Sequence, residues 1–167
     1  ELSLKRGIVT KRITLSTTGI AESALYGKLR AEGVLELGVM VAFLPSQFGV
    51  KIRLTASGTS EEGVLDLLSE AEQKIRGVAG QFIYSRSGEE LGCVVGRLLT
   101  ERGLRLAVAE SCTGGLLSSV LTDYSGSSAF FDRGVVSYGN AAKVEMLEVE
   151  EDTIAELGAV SEQVCMQ

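Results

Sequence analysis

The sequence predicts two successive domains, a small two-layer α+β sandwich over residues 1–85 and a layered α/β domain over residues 86–167. Three observations lead to this prediction. Strand-like and helical apolar patterns surround a hairpin signal in the first half, which is typical of helices packed on one face of a mostly antiparallel sheet. The polar, glycine-terminated stretch Tyr84–Gly88 then has the composition of a linker. In the second half, helical and strand patterns alternate, which indicates a sheet that is parallel at least in part.

The first domain opens with a predicted strand and helix. Alternating residues over Lys11–Leu15 predict the strand, and Gly19 ends it. Residues 20–32 then carry apolar side chains at helical spacing, namely Ile20, Ala24, Leu25 and Leu29.

A hairpin is predicted next. The run Gly38–Leu44 is apolar, Pro45–Gly49 contains turn residues, and the following segment alternates apolar with polar positions. The second strand therefore has one buried face, formed by Val50, Ile52 and Leu54.

A long helix and a short strand complete the first domain. Ser60 followed by two glutamates is typical of a helix start, and the helix is expected to end near Gly77. Its apolar stripe consists of Val64, Leu67, Leu68, Ala71 and Ile75. Residues 81–84 then add a strand to the sheet.

The segment Gly77–Gly80 matches the GxxG pattern with which KH domains hold a nucleic-acid backbone. Here it leads into a strand and contains no basic residue, so we prefer a glycine at the helix C-terminus. In the whole chain, 16 basic against 22 acidic residues give a net charge of -6, which does not favour a surface for phosphates. We therefore expect no nucleic-acid partner.

The second domain is predicted to alternate helices and strands. Residues 91–99 have a helical apolar face, and Gly103 ends that helix. A strand over residues 104–109 is followed by a helix over residues 113–121, and a strand over residues 134–138 by a helix over residues 141–147. Ser161–Glu162 starts a further helix.

Composition restricts the chemistry. The chain has no histidine, so a Ser-His-Asp triad or a Cys-His pair cannot be built from it, and any base must be a lysine, a tyrosine or a carboxylate. The three cysteines, Cys93, Cys112 and Cys165, lack the spacing of a zinc site or a disulfide framework, and we expect reduced, buried thiols. We expect neither a metal nor a cofactor. The sequence has no signal-like segment and no long apolar run, which favours a cytoplasmic protein without membrane contact.

The segment Ala109–Gly115 is the first candidate for a site. It places small and hydroxylic residues directly after a strand and at the start of a helix, where ligands collect in open α/β sheets. Amide groups there, together with the Ser111 and Thr113 hydroxyls, suit a phosphate or an oxyanion, and Gly114 and Gly115 allow a close approach. A helix N-cap explains the same residues, and the segment alone does not decide between the two interpretations.

The segment Gly126–Lys143 is the second candidate. Two serines in a turn, Ser127 and Ser128, precede Tyr138 and Lys143. A neutral lysine can act as a general base, so a Ser-Lys pair can replace the missing histidine. The alternative is a capping serine, a tyrosine on the sheet and a solvated lysine.

Several segments resemble the CinA family (competence/damage-inducible protein A). AESCTGG, GSSAFFDRGVVSYGNAAK and GAVSEQV, which begin at residues 109, 126 and 158, match the order and spacing of the family's C-terminal domain. ESAL at residue 22 and the hairpin VAFLPS with VKIRLTA are similar to its middle, KH-like domain. The resemblance covers nearly the whole chain.

The resemblance implies a serine amidohydrolase that converts nicotinamide mononucleotide and water into nicotinic acid mononucleotide and ammonia. By the same resemblance Ser128 is the nucleophile, with Ser111 in reserve, Lys143 is the base, and Tyr138 is a relay or positioning hydroxyl. The residues it implies for binding the substrate or stabilising the oxyanion are Ser111, Thr113, Gly114, Gly115 and Asn140.

The family pattern also implies limits on this chain. Full-length members begin with a molybdopterin-binding-like domain linked to ADP-ribose pyrophosphatase activity, which we do not expect here. They continue past the GAVSE segment into a GIAGP-type loop, so we expect an incomplete second domain, its N-terminal half. Gly139 stands where many relatives have serine or asparagine. We expect a homodimer, and a non-catalytic nucleotide-binding or competence-associated scaffold remains the alternative function.

Overall fold

The computed structural model describes residues 7–167. The chain divides into two compact units, one ending at Val94 and the other covering Val95–Gln167. The first unit contains a four-stranded sheet and the second a two-stranded sheet.

The first unit is an antiparallel sheet that carries two helices. The strands are β1 (Val9–Thr18), β2 (Met40–Ser46), β3 (Gly49–Gly58) and β4 (Ile83–Ser85), in the order β2-β3-β1-β4. The helices are α1 (Glu22–Ala31) and α2 (Glu61–Ala79), with 3₁₀ turns at Val34–Glu36 and Gly80–Phe82. The predicted order of strand, helix, hairpin, helix and strand is confirmed.

The core of this unit follows from the alternation along β1 and β3. Leu15 of β1 pairs with Ile52 of β3. Both side chains are fully buried and belong to the same apolar cluster as the buried residues of α1 and α2. The predicted buried face of β3 is confirmed, and the stripe of α2 is buried at Val64, Leu68, Ala71 and Ile75. Burial of one face of each element holds the two layers together.

Two predicted boundaries in this unit, those of the hairpin turn and of the linker, are wrong. The turn of the hairpin is narrower, because Pro45 is part of β2, an edge strand where a missing amide is tolerated. Helix α2, predicted to end near Gly77, ends at Ala79, and Gly80 is its C-cap, so the preferred interpretation of Gly77–Gly80 as a glycine at the helix C-terminus is confirmed. The predicted linker Tyr84–Gly88 is partly strand, since its first two residues belong to β4 and Ser87 forms a parallel bridge with Thr14.

The second unit alternates helices with a parallel strand pair. Helix α3 (Leu91–Glu101) leads into it, followed by β5 (Leu106–Glu110), α4 (Leu116–Thr122), β6 (Phe131–Val136), α5 (Asn140–Leu147), α6 (Glu151–Leu157) and α7 (Glu162–Met166). Strands β5 and β6 are parallel, as predicted. Strand β6 starts at Phe131 rather than Gly134 because Phe131 already pairs with Leu106. Helix α6 was not predicted.

Two of the cysteines differ from the prediction. All three are free, but Cys112 and Cys165 are exposed and Cys93 is only half-buried. Cys112 lies in the turn after β5, and Cys165 lies in α7. Among residues 7–167, no cluster of side chains suits a metal ion, and no helix is both long and apolar enough to span a bilayer.

Candidate functional site

The site lies where the carboxyl ends of β5 and β6 meet. Glu110, the last residue of β5, pairs with Val136, the last residue of β6. Because the strands are parallel, the segments that leave them emerge at the same edge, with Ser111 after one strand and Ser137 after the other.

Lys143 extends from α5 into this edge. Its side chain is buried, with 6% of the residue exposed. Its Nζ lies 3.0 Å from Ser111 Oγ, 2.6 Å from the Ser137 carbonyl oxygen and 3.2 Å from the Tyr138 carbonyl oxygen. The fold thus pairs a buried lysine amine with a serine hydroxyl.

The turn that carries Ser111 depends on two glycines. Gly114 and Gly115 have φ angles of 59° and 97°, a left-handed conformation that side chains with a Cβ rarely adopt. The Gly114 amide donates to the Ser111 carbonyl at 3.0 Å, and the Leu116 amide donates to the Thr113 carbonyl at 3.1 Å. The turn therefore closes tightly and presents Ser111 at the end of β5.

The Glu110 side chain occupies the beginning of α4. Its carboxylate accepts hydrogen bonds from the Leu117 amide at 2.9 Å, the Ser118 amide at 2.8 Å and the Ser118 hydroxyl at 2.6 Å. The bond from the Ser118 hydroxyl is the largest cause that lowers the pKa of Glu110 to about 2, and the two amides and Thr113 contribute in the same direction against the effect of burial. Glu110 is therefore an anion that α4 holds in place.

These contacts change one expectation about this segment. The amides at the start of α4 were expected to receive a phosphate or an oxyanion, but Glu110 already takes those of Leu117 and Ser118. Within residues 7–167, the amides of Cys112, Thr113 and Gly115 donate no hydrogen bond, and they belong to the same turn as Ser111.

A cavity of about 370 Å³ opens beside the Ser111–Lys143 pair. Its polar wall is formed by Glu110, Ser111, Ser137 and Lys143. The rest of the lining is mostly apolar and comes from the strand end and from α5 to α7, namely Ala109, Leu147, Val149, Ala159, Val164, Cys165, Met166 and Gln167. A small ligand with both polar and apolar parts fits this combination of walls.

The structure does not bring Ser128 to Lys143. Ser128 is exposed in a 3₁₀ turn before β6, and its carbonyl faces Arg105 at 3.5 Å, next to the start of β5. Lys143 Nζ binds at the other end of β6, and six residues of strand separate the two ends by about 16 Å. The hydrogen bond between Ser128 and Lys143 that the sequence hypothesis requires is absent, and Ser111 takes that position.

The other predicted site residues lie around the cavity without lining it. The Tyr138 residue is 71% exposed, and it reaches Lys143 only through its backbone carbonyl. Asn140 is exposed at the start of α5. Of the predicted binding residues, only Ser111 is part of the cavity wall, while Thr113, Gly114 and Gly115 shape the turn.

Sequence reasoning missed two residues of the site, Glu110 and Ser137. Both are buried, at 4% and 3% exposure, and both line the cavity. A signal for Glu110 was present, because a carboxylate directly after a strand and shortly before a helix is placed to accept the helix's first amides. Ser137 gives no such signal, since its backbone carbonyl makes the contact with Lys143.

Comparison with known families matches both parts of the chain. Residues 12–85 match the damage-inducible protein CinA KH domain, and residues 89–167 match the CinA C-terminal domain.

Individual relatives are similar over most of this chain. A CinA-like protein of Chlorobium limicola is 44% identical over 154 residues, which are 92% of this chain and 36% of the relative. A CinA-like protein of Synechococcus sp. is 42% identical over 162 residues, 97% of this chain and 38% of the relative. A putative competence-damage inducible protein of Caldicellulosiruptor saccharolyticus is 37% identical over 153 residues, 92% of this chain and 37% of the relative. The chain thus spans less than two fifths of the length of these relatives.

Among solved structures, the competence/damage inducible protein CihA from Agrobacterium tumefaciens is similar, with 46% sequence identity and a TM-score of 0.45. The similarity covers 46% of this chain and 46% of that one.

Proposed function

Because the chain belongs to the CinA family, with a CinA KH domain followed by a CinA C-terminal domain, we propose that its second unit deamidates nicotinamide mononucleotide to nicotinic acid mononucleotide and ammonia. The observation that carries the proposal is the 3.0 Å contact between Lys143 Nζ and Ser111 Oγ beside a cavity. It supports Ser111, the reserve nucleophile, over Ser128.

Lys143 is the base in this mechanism. A neutral amine has two N–H groups and one lone pair, and the carbonyls of Ser137 and Tyr138 are placed to accept the two N–H groups. The lone pair is then left for the hydroxyl proton of Ser111. Buried lysines are the ones that proteins employ in this role.

The reaction proceeds in two steps. Ser111 Oγ attacks the amide carbon while its proton passes to Lys143 Nζ, and the C–N bond breaks as that proton leaves with the nitrogen as ammonia. Water then attacks the resulting ester, again giving a proton to Lys143, which returns it to Ser111 as the C–O bond to serine breaks. The free amides of Cys112, Thr113 and Gly115 are the available donors to the oxyanion of each tetrahedral intermediate.

The walls of the cavity support an aromatic amide as the reacting group. The polar wall with Ser111 and Lys143 suits the amide, and the apolar wall, which includes Leu147, Val149 and Val164, suits a pyridine ring.

The proposal is tested by measuring the ammonia that the full-length protein releases from nicotinamide mononucleotide without added metal. We expect Ser111→Ala and Lys143→Ala each to lower kcat by at least about 10³-fold, because they remove the nucleophile or its base. Ser128→Ala is the matched control, since it removes the same hydroxyl at the other end of β6, and its kcat should stay within about threefold of wild type.

Two results would overturn the proposal. Loss of activity in Ser128→Ala with full activity in Ser111→Ala would return the nucleophile to Ser128. Tight nucleotide binding by the wild-type protein without any ammonia release would favour the non-catalytic alternative.

A further inference from the structure

We propose that Glu110 is a positioning residue. Its side-chain carboxylate fixes the turn that carries Ser111, and its backbone carbonyl fixes the backbone group that binds Lys143. This inference rests on the proposed function, in which Ser111 is the nucleophile and Lys143 its base. Glu110 is not assigned a role in the two chemical steps.

The carboxylate closes the turn on which Ser111 lies. Ser111 follows Glu110 directly in the chain, and the Glu110 side chain binds the amides of Leu117 and Ser118 on the far side of the turn. The intervening residues are therefore held in a ring that begins and ends at Glu110. With 4% of the residue exposed, water does not compete strongly for these bonds.

The carbonyl of the same residue holds the base. It accepts hydrogen bonds from the Ser137 amide at 2.8 Å and the Ser137 hydroxyl at 3.4 Å. The Ser137 carbonyl in turn accepts from Lys143 Nζ at 2.6 Å. A shift of Glu110 thus moves the nucleophile and the group that orients the base together.

The Glu110 carboxylate pairs with α4 and not with Lys143. Glu110 and Lys143 line the same cavity, yet in the described part of the chain no carboxylate lies within 4.0 Å of Lys143 Nζ. Helix α4 binds both carboxylate oxygens of Glu110, so the amine is left with Ser111 and two carbonyls.

The test compares Glu110→Gln with wild type by two readouts: ammonia release, and the rate at which a fluorophosphonate probe labels Ser111, which does not depend on the natural substrate. We expect both kcat and the labelling rate to fall by about 10²-fold, the usual effect of a displacement of about 1 Å in a reacting group. KM should change by less than about threefold, because the cavity walls remain. Ser118→Ala, which removes one of the three bonds, should lower the labelling rate by about tenfold.

Asp132→Asn is the matched control. Asp132 also accepts charged hydrogen bonds, from Arg105 and Arg133, but at the opposite end of the same strand pair. The rate at which the probe labels the Asp132→Asn variant should stay within about twofold of wild type at temperatures well below Tm. An equal loss of labelling in both variants would reduce the role of Glu110 to general stability and overturn the inference, as would a wild-type labelling rate in Glu110→Gln.

Two further outcomes separate this inference from the proposed function. If the probe labels Ser111 but no ammonia is released, the substrate assignment fails and the slower labelling of Glu110→Gln still supports positioning. If the wild-type protein neither reacts with the probe nor releases ammonia, Ser111 is not a nucleophile and both ideas fail. Should Glu110→Gln not fold, Ser118→Ala and Thr113→Val replace it, and unchanged labelling in both would overturn the inference.

Discussion

Fourteen buried apolar residues form one cluster in the first unit, whereas the apolar cluster around α6 and α7 in the second unit has three buried members. The buried polar groups differ as well. In the first unit the Thr17 hydroxyl donates to a backbone carbonyl, and Glu72 pairs with Arg76 and Arg86. In the second unit Glu110, Ser137 and Lys143 converge on one cavity.

This difference distinguishes the unit that contains the candidate site. A buried hydroxyl that satisfies a strand carbonyl stabilises a fold, and nothing remains for a ligand to contact. In the second unit, buried polar groups surround a cavity beside a small apolar cluster, so fewer apolar side chains pack together there. Such a local departure from a fully packed apolar core is typical of functional sites. The comparison therefore separates a unit whose buried polar groups serve the fold from the unit that contains the candidate site.

The largest stability effect is expected for Leu68→Ala in α2. Leu68 is 3% exposed in the main cluster, so its truncation should lower the free energy of unfolding by about 2–5 kcal/mol. Leu65→Ala, on the same helix but at a residue that is 50% exposed, should cost less than about 1 kcal/mol. Hydrogen exchange of the sheet amides of this unit measures both. Equal losses would contradict a packed core under α2.

Gly96→Ala tests the packing of the second unit. A Cβ at Gly96 would lie 2.6 Å from the ring of Phe130, which is 1% exposed, and 1.7 Å from Tyr124 Oη. We expect a loss of about 1–3 kcal/mol in the free energy of unfolding, measured by chemical denaturation. Gly77→Ala in α2 is the control, because a Cβ there meets no atom within 4 Å, and it should stabilise by about 0.5–1 kcal/mol. Effects of the same sign would mean that α3 does not pack closely at Gly96.

A smaller effect is expected for Thr17→Val, which keeps the shape of the side chain and removes its hydroxyl. The 2.7 Å bond to the buried Val50 carbonyl is lost, which should cost about 1 kcal/mol of unfolding free energy. Thr10→Val, at an exposed pair with Ser57, should change stability by less than about 0.5 kcal/mol. Neither variant should alter kcat for ammonia release. A large loss of kcat in Thr17→Val would break the separation between the two units.

The last effect depends on pH, because the contribution of Glu110 to stability is present at neutral pH and is lost in acid. The pKa of Glu110 is lowered from 4.5 to about 2 in the folded protein, so its contribution to stability is fully present above about pH 4.5 and is lost as the pH falls toward 2. Denaturation between pH 6 and pH 2 should therefore show a wild-type advantage over Glu110→Gln that shrinks in this window. An advantage that stays constant with pH would show that the bonds do not depend on the carboxylate's charge.

Most elements of the fold were predictable because their signals are local. The alternation in β3 and the stripe of α2 identified their buried faces, and Ser60 and Ser161 marked the starts of α2 and α7, where their side chains cap the helix. Helix α6 was missed because seven residues with one buried side chain, Ile154, give little periodic signal.

Most of the order of strands and helices follows from the sequence alone, and so does the absence of histidine, which requires another kind of base in any serine-based reaction. Which serine Lys143 meets depends on the tertiary structure. Ser128 is closer to Lys143 along the chain, but it precedes β6, whereas Ser111 follows β5. Because parallel strands bring their carboxyl ends together, Ser111 and Lys143 meet at 3.0 Å across 32 residues of sequence, and no local pattern contains that information.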